Sequence, residues 1–148
     1  MPKNSFLDNA YLALVFNGTT IPGLAQNLVS GALTNLQVAL HTADPTTTAG
    51  SGTLNTQNAS EAAYTGYARV SVARTTGGWV VTGSSVSPAS NINFPAGTGG
   101  GGTATYMSVG VGSSGATSIL YSGAISPTIA MGSGVTPVIA AGTTITES

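Results

Sequence analysis

The chain is 148 residues long, of which only seven carry a formal charge: Lys3, Arg69 and Arg74 against Asp8, Asp44, Glu61 and Glu147. Ordinary soluble domains are about one quarter charged, so this surface is built from Thr, Ser, Asn, Gly and Ala, and scattered titratable groups exclude most acid–base and nucleophilic catalysis. Three basic residues and a net charge of −1 exclude a phosphate-binding face for nucleic acid, and the absence of cysteine excludes disulfides, thiolate nucleophiles and zinc–thiolate sites.

The N-terminal stretch predicts a helix from about Ser5 to Phe16. Asn4 or Ser5 can cap it, Asp8 lies in the first turn, Gly18 ends it, and Leu7, Tyr11, Leu14 and Val15 recur at helical spacing as its apolar face. A short second helix is expected over 22–29, with Pro22 near its start. From Leu36 the period changes to two. Leu36, Val38 and Leu40 alternate with Gln37, Ala39 and His41, and Ala68, Val70 and Val72 alternate with Arg69, Ser71 and Ala73, as in half-buried strands. Further strands are expected over 78–82, 91–94, 103–111, 118–124 and 143–146, separated by turns at Gly77-Gly78, Ser87-Pro88, 95–102, 112–115 and Ser126-Pro127. The reading is a mainly β chain: one domain over 1–148, with a helical segment over 1–35 and an antiparallel, jelly-roll-like β-sandwich over 36–148. The polar loop from Asp44 to about Ala63 has the length of a functional loop and is expected to reach a partner.

No apolar run approaches the roughly 18 to 20 residues of a membrane span, and no clean cleavage pattern comes after the N-terminal apolar stretch. The expectation is a soluble chain made in the cytoplasm, with no membrane association, in which the sequons at Asn17 and Asn58 carry no sugar.

Gly110-Val111-Gly112-Ser113-Ser114-Gly115 spells the G-x-G-x-x-G of dinucleotide-binding turns. The residues after it, Ser118 to Gly123, are strand-like, and no acid occurs between Glu61 and Glu147, so the segment reads as a hairpin turn. The run Gly99, Gly100, Gly101, Gly102 lacks the Lys-Ser/Thr of a phosphate loop and reads as a linker or wedge. His41, the one imidazole, has Asp44 three residues on. Without an identifiable nucleophile or further strong ligands it reads as a strand-ending residue bonded to the turn at Asp44-Pro45. Neither a catalytic residue nor a metal or cofactor site emerges. Arg69 and Arg74 are expected to pair with a scarce acid or with a neighbour's carbonyls. Tyr64, Tyr67, Trp79 and Tyr106 fit core or interface anchors, or alternatively a sugar-stacking platform. The candidate interface residues are therefore Leu14, Tyr64, Tyr67, Arg69, Arg74, Trp79 and Gly99 to Gly102.

The order Leu36-Gln37-Val38-Ala39-Leu40-His41-Thr42-Ala43-Asp44-Pro45, then Glu61, then Tyr64-Thr65-Gly66-Tyr67-Ala68-Arg69-Val70, then Asn91-Ile92-Asn93-Phe94-Pro95-Ala96, resembles a family of small structural proteins encoded by tailed bacteriophages. The similarity extends over most of the chain and implies a non-enzymatic virion component; members are labelled tail, fibre or head proteins. By architectural analogy with small β-rich phage cement proteins, the leading expectation is a capsid cement or decoration protein. It would be oligomeric and would bind the major capsid protein and copies of itself on the outer shell. A tail, collar or fibre component is the alternative, and a carbohydrate-binding module a second one.

Overall fold

The computed structural model describes residues 5–21, 32–48 and 50–146; the helix expected over 22–29 lies outside them. Among the described residues the elements are α1 (Ser5–Asn17), β1 (Asn35–His41), β2 (Val70–Ala73), β3 (Trp79–Thr82), β4 (Ser85–Pro88), β5 (Ile92–Asn93), β6 (Gly101–Gly110), β7 (Ile119–Gly132), β8 (Val138–Ile139) and β9 (Ile145–Thr146). The fold is mainly β and sandwich-like, with antiparallel sheets and one short helix. The chain divides into two compact units: Met1–Asn35 with Val72–Asn91 and Ala140–Ser148, and Leu36–Ser71 with Ile92–Ile139. The stretch from residue 36 onward thus contributes to both.

In the first unit α1 packs on β3 and β4. Asp8 in the first turn complements the positive helix N-terminus, and Gly18, at φ 67°, supplies the left-handed residue that ends the helix. The buried positions are Asp8, Leu12 and Phe16, and not the expected face of Leu7, Tyr11, Leu14 and Val15: Tyr11 is exposed and the other three are half-buried. The helix carries apolar residues on most of its sides, so periodicity does not single out one face. Phe16 does so by meeting Trp79 edge-to-face at a centroid distance of 4.9 Å. Trp79 opens the β3–β4 hairpin, whose register runs from Trp79↔Pro88 to Thr82↔Ser85. Gly83, at φ 60°, takes the first central position of its two-residue turn, where a side chain would be strained. β4 replaces the turn expected at Ser87-Pro88. Pro88 sits at the strand end, beyond the two β4 residues, Ser85 and Val86, that pair with β9, so its missing N–H breaks none of those pairs.

The second unit contributes β1, β6, β7 and the first two residues of β2 to a four-stranded sheet of order β2-β1-β6-β7, and β5 and β8 form a separate two-stranded sheet. β1 is buried on both faces from Leu36 to His41, not half-buried as its alternation implied, and it pairs with β6 from Gln37↔Gly110 to His41↔Tyr106. Gly101 and Gly102 are no linker: they open β6 opposite Gly132 and Met131, and Gly99 bridges Thr65. The chains cross so closely there that a Cβ on Gly97 would lie 2.1 Å from the Gly132 carbonyl oxygen. β7 runs through Ser126-Pro127, where a turn was expected. The register shifts between Tyr106↔Ala124 and Ala104↔Ile129, so the proline falls in a bulge and not in the ladder. β8, like β4, was not expected; at two residues it carries no periodicity.

Candidate functional site

The second unit buries an unusual amount of polar chemistry for a chain so short of charge. At its centre is the ion pair of Arg69 and Glu61, whose side chains are 1% and 17% exposed. Arg69 Nε donates to Glu61 Oε1 at 2.7 Å and Nη2 to Oε2 at 2.8 Å, a two-pronged match of planar groups. The remaining donors go to the β6–β7 hairpin: Nη1 to the Gly112 carbonyl at 2.7 Å and to Thr117 Oγ1 at 2.8 Å, and Nη2 to the Gly115 carbonyl at 2.7 Å. The guanidinium therefore ties Glu61, at the end of the 44–63 loop, to both shoulders of the hairpin. The G-x-G-x-x-G segment is a hairpin turn, as expected, and its carbonyls are what the arginine reads.

Tyr67 joins the same cluster. Its hydroxyl donates to Glu61 Oε1 at 3.0 Å and accepts from the Leu40 N–H at 3.1 Å. Burial, reinforced by the Glu61 charge, raises its pKa far above the ordinary phenol value. Gln57 is fully buried. Its amide donates to the Gln37 carbonyl at 2.9 Å and its carbonyl accepts from Thr117 Oγ1 at 3.2 Å. Glycine at position 110 is required by this side chain, since a Cβ there would lie 2.3 Å from Gln57 Cδ.

His41 ends β1 as expected, but its partners are not at Asp44-Pro45. Nδ1 lies 2.8 Å from the Ala59 carbonyl and Nε2 lies 2.8 Å from Ser108 Oγ. The carbonyl can only accept, so Nδ1 carries the proton, and Nε2 accepts from the Ser108 hydroxyl. Burial lowers the His41 pKa, outweighing the Ala59 carbonyl and the Glu61 charge, which raise it. The pair has the serine–histidine spacing of a hydrolase, yet both residues are 0% exposed and the orienting acceptor is a backbone carbonyl. In this arrangement the Ser108 oxygen is engaged by His41 and by the Gln57 amide.

The 44–63 loop is folded on itself. The Asp44 carboxylate accepts from the Thr46 N–H and hydroxyl at 2.9 and 2.7 Å, and these bonds lower its pKa. The Ser60 hydroxyl donates to the Thr48 carbonyl and accepts from the Gly50 N–H. Pro45 accepts from the Asn55 N–H, and Gln57 N–H reaches the Thr117 carbonyl. Several of the polar side chains that mark this stretch as a reaching loop in the sequence are thus bonded within the loop itself, to its backbone or to one another.

The remaining predicted residues are distributed between the units. Tyr64 is buried, donates to the Pro95 carbonyl at 2.7 Å and meets Tyr67 edge-to-face at 5.4 Å; Tyr67 in turn stacks near Phe94. Tyr106 is half-buried on β6. Trp79 belongs to the first unit and has no exposed surface, so it offers no face to a sugar. Arg74, also in the first unit, donates to the Leu14 and Val15 carbonyls at the end of α1, a cation at the negative helix terminus. The acceptors found for Arg69 are thus an acid, two carbonyls and a hydroxyl of this chain, and those for Arg74 are carbonyls of this chain. Leu14 is half-buried on α1, Gly101 and Gly102 open β6, and Gly99 and Gly100 come just before it. Sequence reasoning missed Gln57 and Ser108, and, having expected Arg69 to find a scarce acid, did not name Glu61 as that acid. Its position eight residues from Arg69 was the signal that could have singled it out.

Among the described residues no three His, Asp or Glu side chains gather as a metal site would need, and no helix is long and apolar enough to cross a membrane. Across residues 4–147 the sequence matches the family described as podophage GP4 fiber I protein gp80. The chain belongs to that family. It is accordingly a structural protein of the bacteriophage virion, and the family's description leans to fibre and tail over the capsid cement expected from architectural analogy. A comparison with curated proteins finds no match.

Proposed function

We propose that this gp80-family protein is a tail, collar or fibre component of the phage particle and serves as a static structural module without catalytic activity. The observation that carries the reading is the family match over 4–147, whose description names a fibre protein. The Arg69–Glu61 cluster supports it. A guanidinium with every arm engaged holds the 44–63 loop and the β6–β7 hairpin in one arrangement, which suits a part that bears load and not one that opens for a substrate. The partners are other virion chains and further copies of itself, and no cofactor enters the mechanism.

Copy number tests the location. Quantified particle proteins, with gold-labelled antibody on intact virions, should show a dozen or so copies at the tail or collar. Hundreds of copies spread over the head would overturn the proposal in favour of a cement protein. Particles lacking the protein should keep robust, filled heads but attach poorly to cells.

A further inference from the structure

The Ser108–His41 pair faces a third buried group. Gln57, Ser108 and His41 are each 0% exposed, and the Gln57 amide nitrogen lies 3.3 Å from Ser108 Oγ, the same oxygen that His41 Nε2 meets at 2.8 Å. The amide carbon is one C–N bond farther on, and so within about 4.7 Å of that oxygen at any angle. The amide is held from its other end as well. Nε2 donates to the Gln37 carbonyl at 2.9 Å, which settles which end is nitrogen, and Oε1 is met by the Thr117 hydroxyl at 3.2 Å and by Arg69 Nη1 at 3.5 Å. Donors fixed on a carbonyl oxygen in a buried site stabilise negative charge that develops there. A hydroxyl, a base, a carbonyl carbon and oxyanion donors thus converge from β6, β1, the 44–63 loop and the β6–β7 hairpin.

We propose that this cluster is a self-modification site, at which Ser108 attacks the Gln57 side chain and forms an intramolecular ester. The Ser108 Oγ–Gln57 Cδ bond forms as His41 Nε2 takes the hydroxyl proton. The Cδ–Nε2 bond then breaks, His41 passes that proton to the leaving nitrogen, and ammonia departs; atoms and charge balance without a cofactor or an oxidant. The Ala59 carbonyl, by keeping a proton on Nδ1, leaves Nε2 free to serve as the base. The hydrogen bond meets the edge of the amide and attack needs its face, so Gln57 turns about its last side-chain torsion, which is a soft one. Thr117 is placed for a different part: its hydroxyl donates to the amide oxygen, and the chain's one imidazole is engaged with Ser108. The burial that keeps outside substrates from the pair also shields the ester from water. Each chain reacts once, so the module remains one without turnover. The inference goes beyond the proposed function, adding a covalent tie between the 44–63 loop and β6, and it holds whether the protein sits on the tail or the head.

Intact-mass spectrometry of the full chain, followed by trypsin digestion of the denatured protein, tests it. Cleavage after Lys3, Arg69 and Arg74 places Gln57 and Ser108 on separate fragments, 4–69 and 75–148. The folded wild type incubated at neutral pH should become lighter by one ammonia and yield those two fragments as one linked species, which hydroxylamine separates as it does an ester. Ser108→Ala should abolish the link, and His41→Asn should slow its formation by roughly a hundredfold or more. Folded wild type that keeps its full mass and gives separate fragments after prolonged incubation would overturn the proposal. So would a link that fragmentation maps to Thr117, one that resists hydroxylamine, or one that forms as fast in folded His41→Asn. Should the variants fail to fold, the mass and the mapped link of the wild type decide alone.

Discussion

In the unit that holds α1, the fully buried side chains are led by Trp79, Phe16 and Leu12; in the unit that holds β1, β6 and β7, His41 and Gln57 share the interior with Leu36, Leu40 and Phe94. The first is held by apolar shape, one aromatic edge seated on another. The second is held in part by saturation, with Arg69, Glu61, Tyr67, His41 and Ser108 each supplied with partners. A removed methylene leaves a void whose cost depends on how far the surroundings relax. A removed partner in a saturated cluster leaves a desolvated charge or donor with nowhere to turn. The two units should therefore answer differently to the same kind of damage.

The largest effects come from their centres. Trp79→Ala and Arg69→Ala should each cost about 3 to 5 kcal/mol in urea-denaturation stability, the first through a cavity and the second through an uncompensated Glu61. Rescue separates them. Arg69→Met combined with Glu61→Leu should recover much of the loss, because neither charge is then left alone; if the double variant is no better than the single, saturation does not explain the cluster.

Next comes the helix. Leu12→Ala should cost about 2 to 5 kcal/mol and Leu14→Ala clearly less, since Leu12 is fully buried and Leu14 is not. Thermal or urea unfolding of the two variants decides which face of α1 is the packed one.

pH distinguishes the units further. The folded pKa of His41 lies below the unfolded value of 6.5, so near that pH the unfolded chain binds more protons than the folded one. The stability contributed by neutral His41 is complete above 6.5 and declines as pH falls through 6.5 toward the lower folded pKa. Urea midpoints measured from neutral to mildly acidic pH should drop in the wild type and in Trp79→Ala. They should flatten in His41→Asn. Asp44, whose pKa is also lowered, loses its contribution only in the more acidic window below its unfolded value of 3.8.

The smallest effect is at Ser71, whose hydroxyl exchanges hydrogen bonds with the Gln37 amide at 2.8 and 3.0 Å. Ser71→Ala should cost about 1 kcal/mol, readable as a small shift in midpoint with no change in slope.

How much of this was legible in the sequence depends on how far each signal travels along the chain. The alternation of Leu36 to His41 and the glycines at 110 to 115 are local, and the strand and the hairpin stand where expected. The end of α1 was legible from Gly18; its packed face was not, because Leu7, Leu14 and Val15 compete with Leu12 and Phe16 on nearly equal terms until Trp79 arrives from a distant part of the chain. Ser87-Pro88 and Ser126-Pro127 look alike as turn signals, yet one ends a strand and the other sits in a bulge of a strand that continues. Only the paired strand shows the difference. The polar cluster was the least legible. It joins Gln57, Glu61, Arg69, Ser108 and Thr117, which have no shared periodicity and meet only after β1, β6 and β7 are in register.

The brace that Arg69 makes to the Gly112 and Gly115 carbonyls has a practical corollary. Ser113 and Ser114, between those carbonyls, are exposed, and the loop they crown is anchored from beneath at both ends. Such a turn is a mounting point: residues placed there inherit a fixed position without taking part in holding the sheet together. A short epitope grafted between Ser113 and Ser114 should be displayed in a defined orientation on every copy of the protein, making this hairpin a natural address for labelling the intact particle.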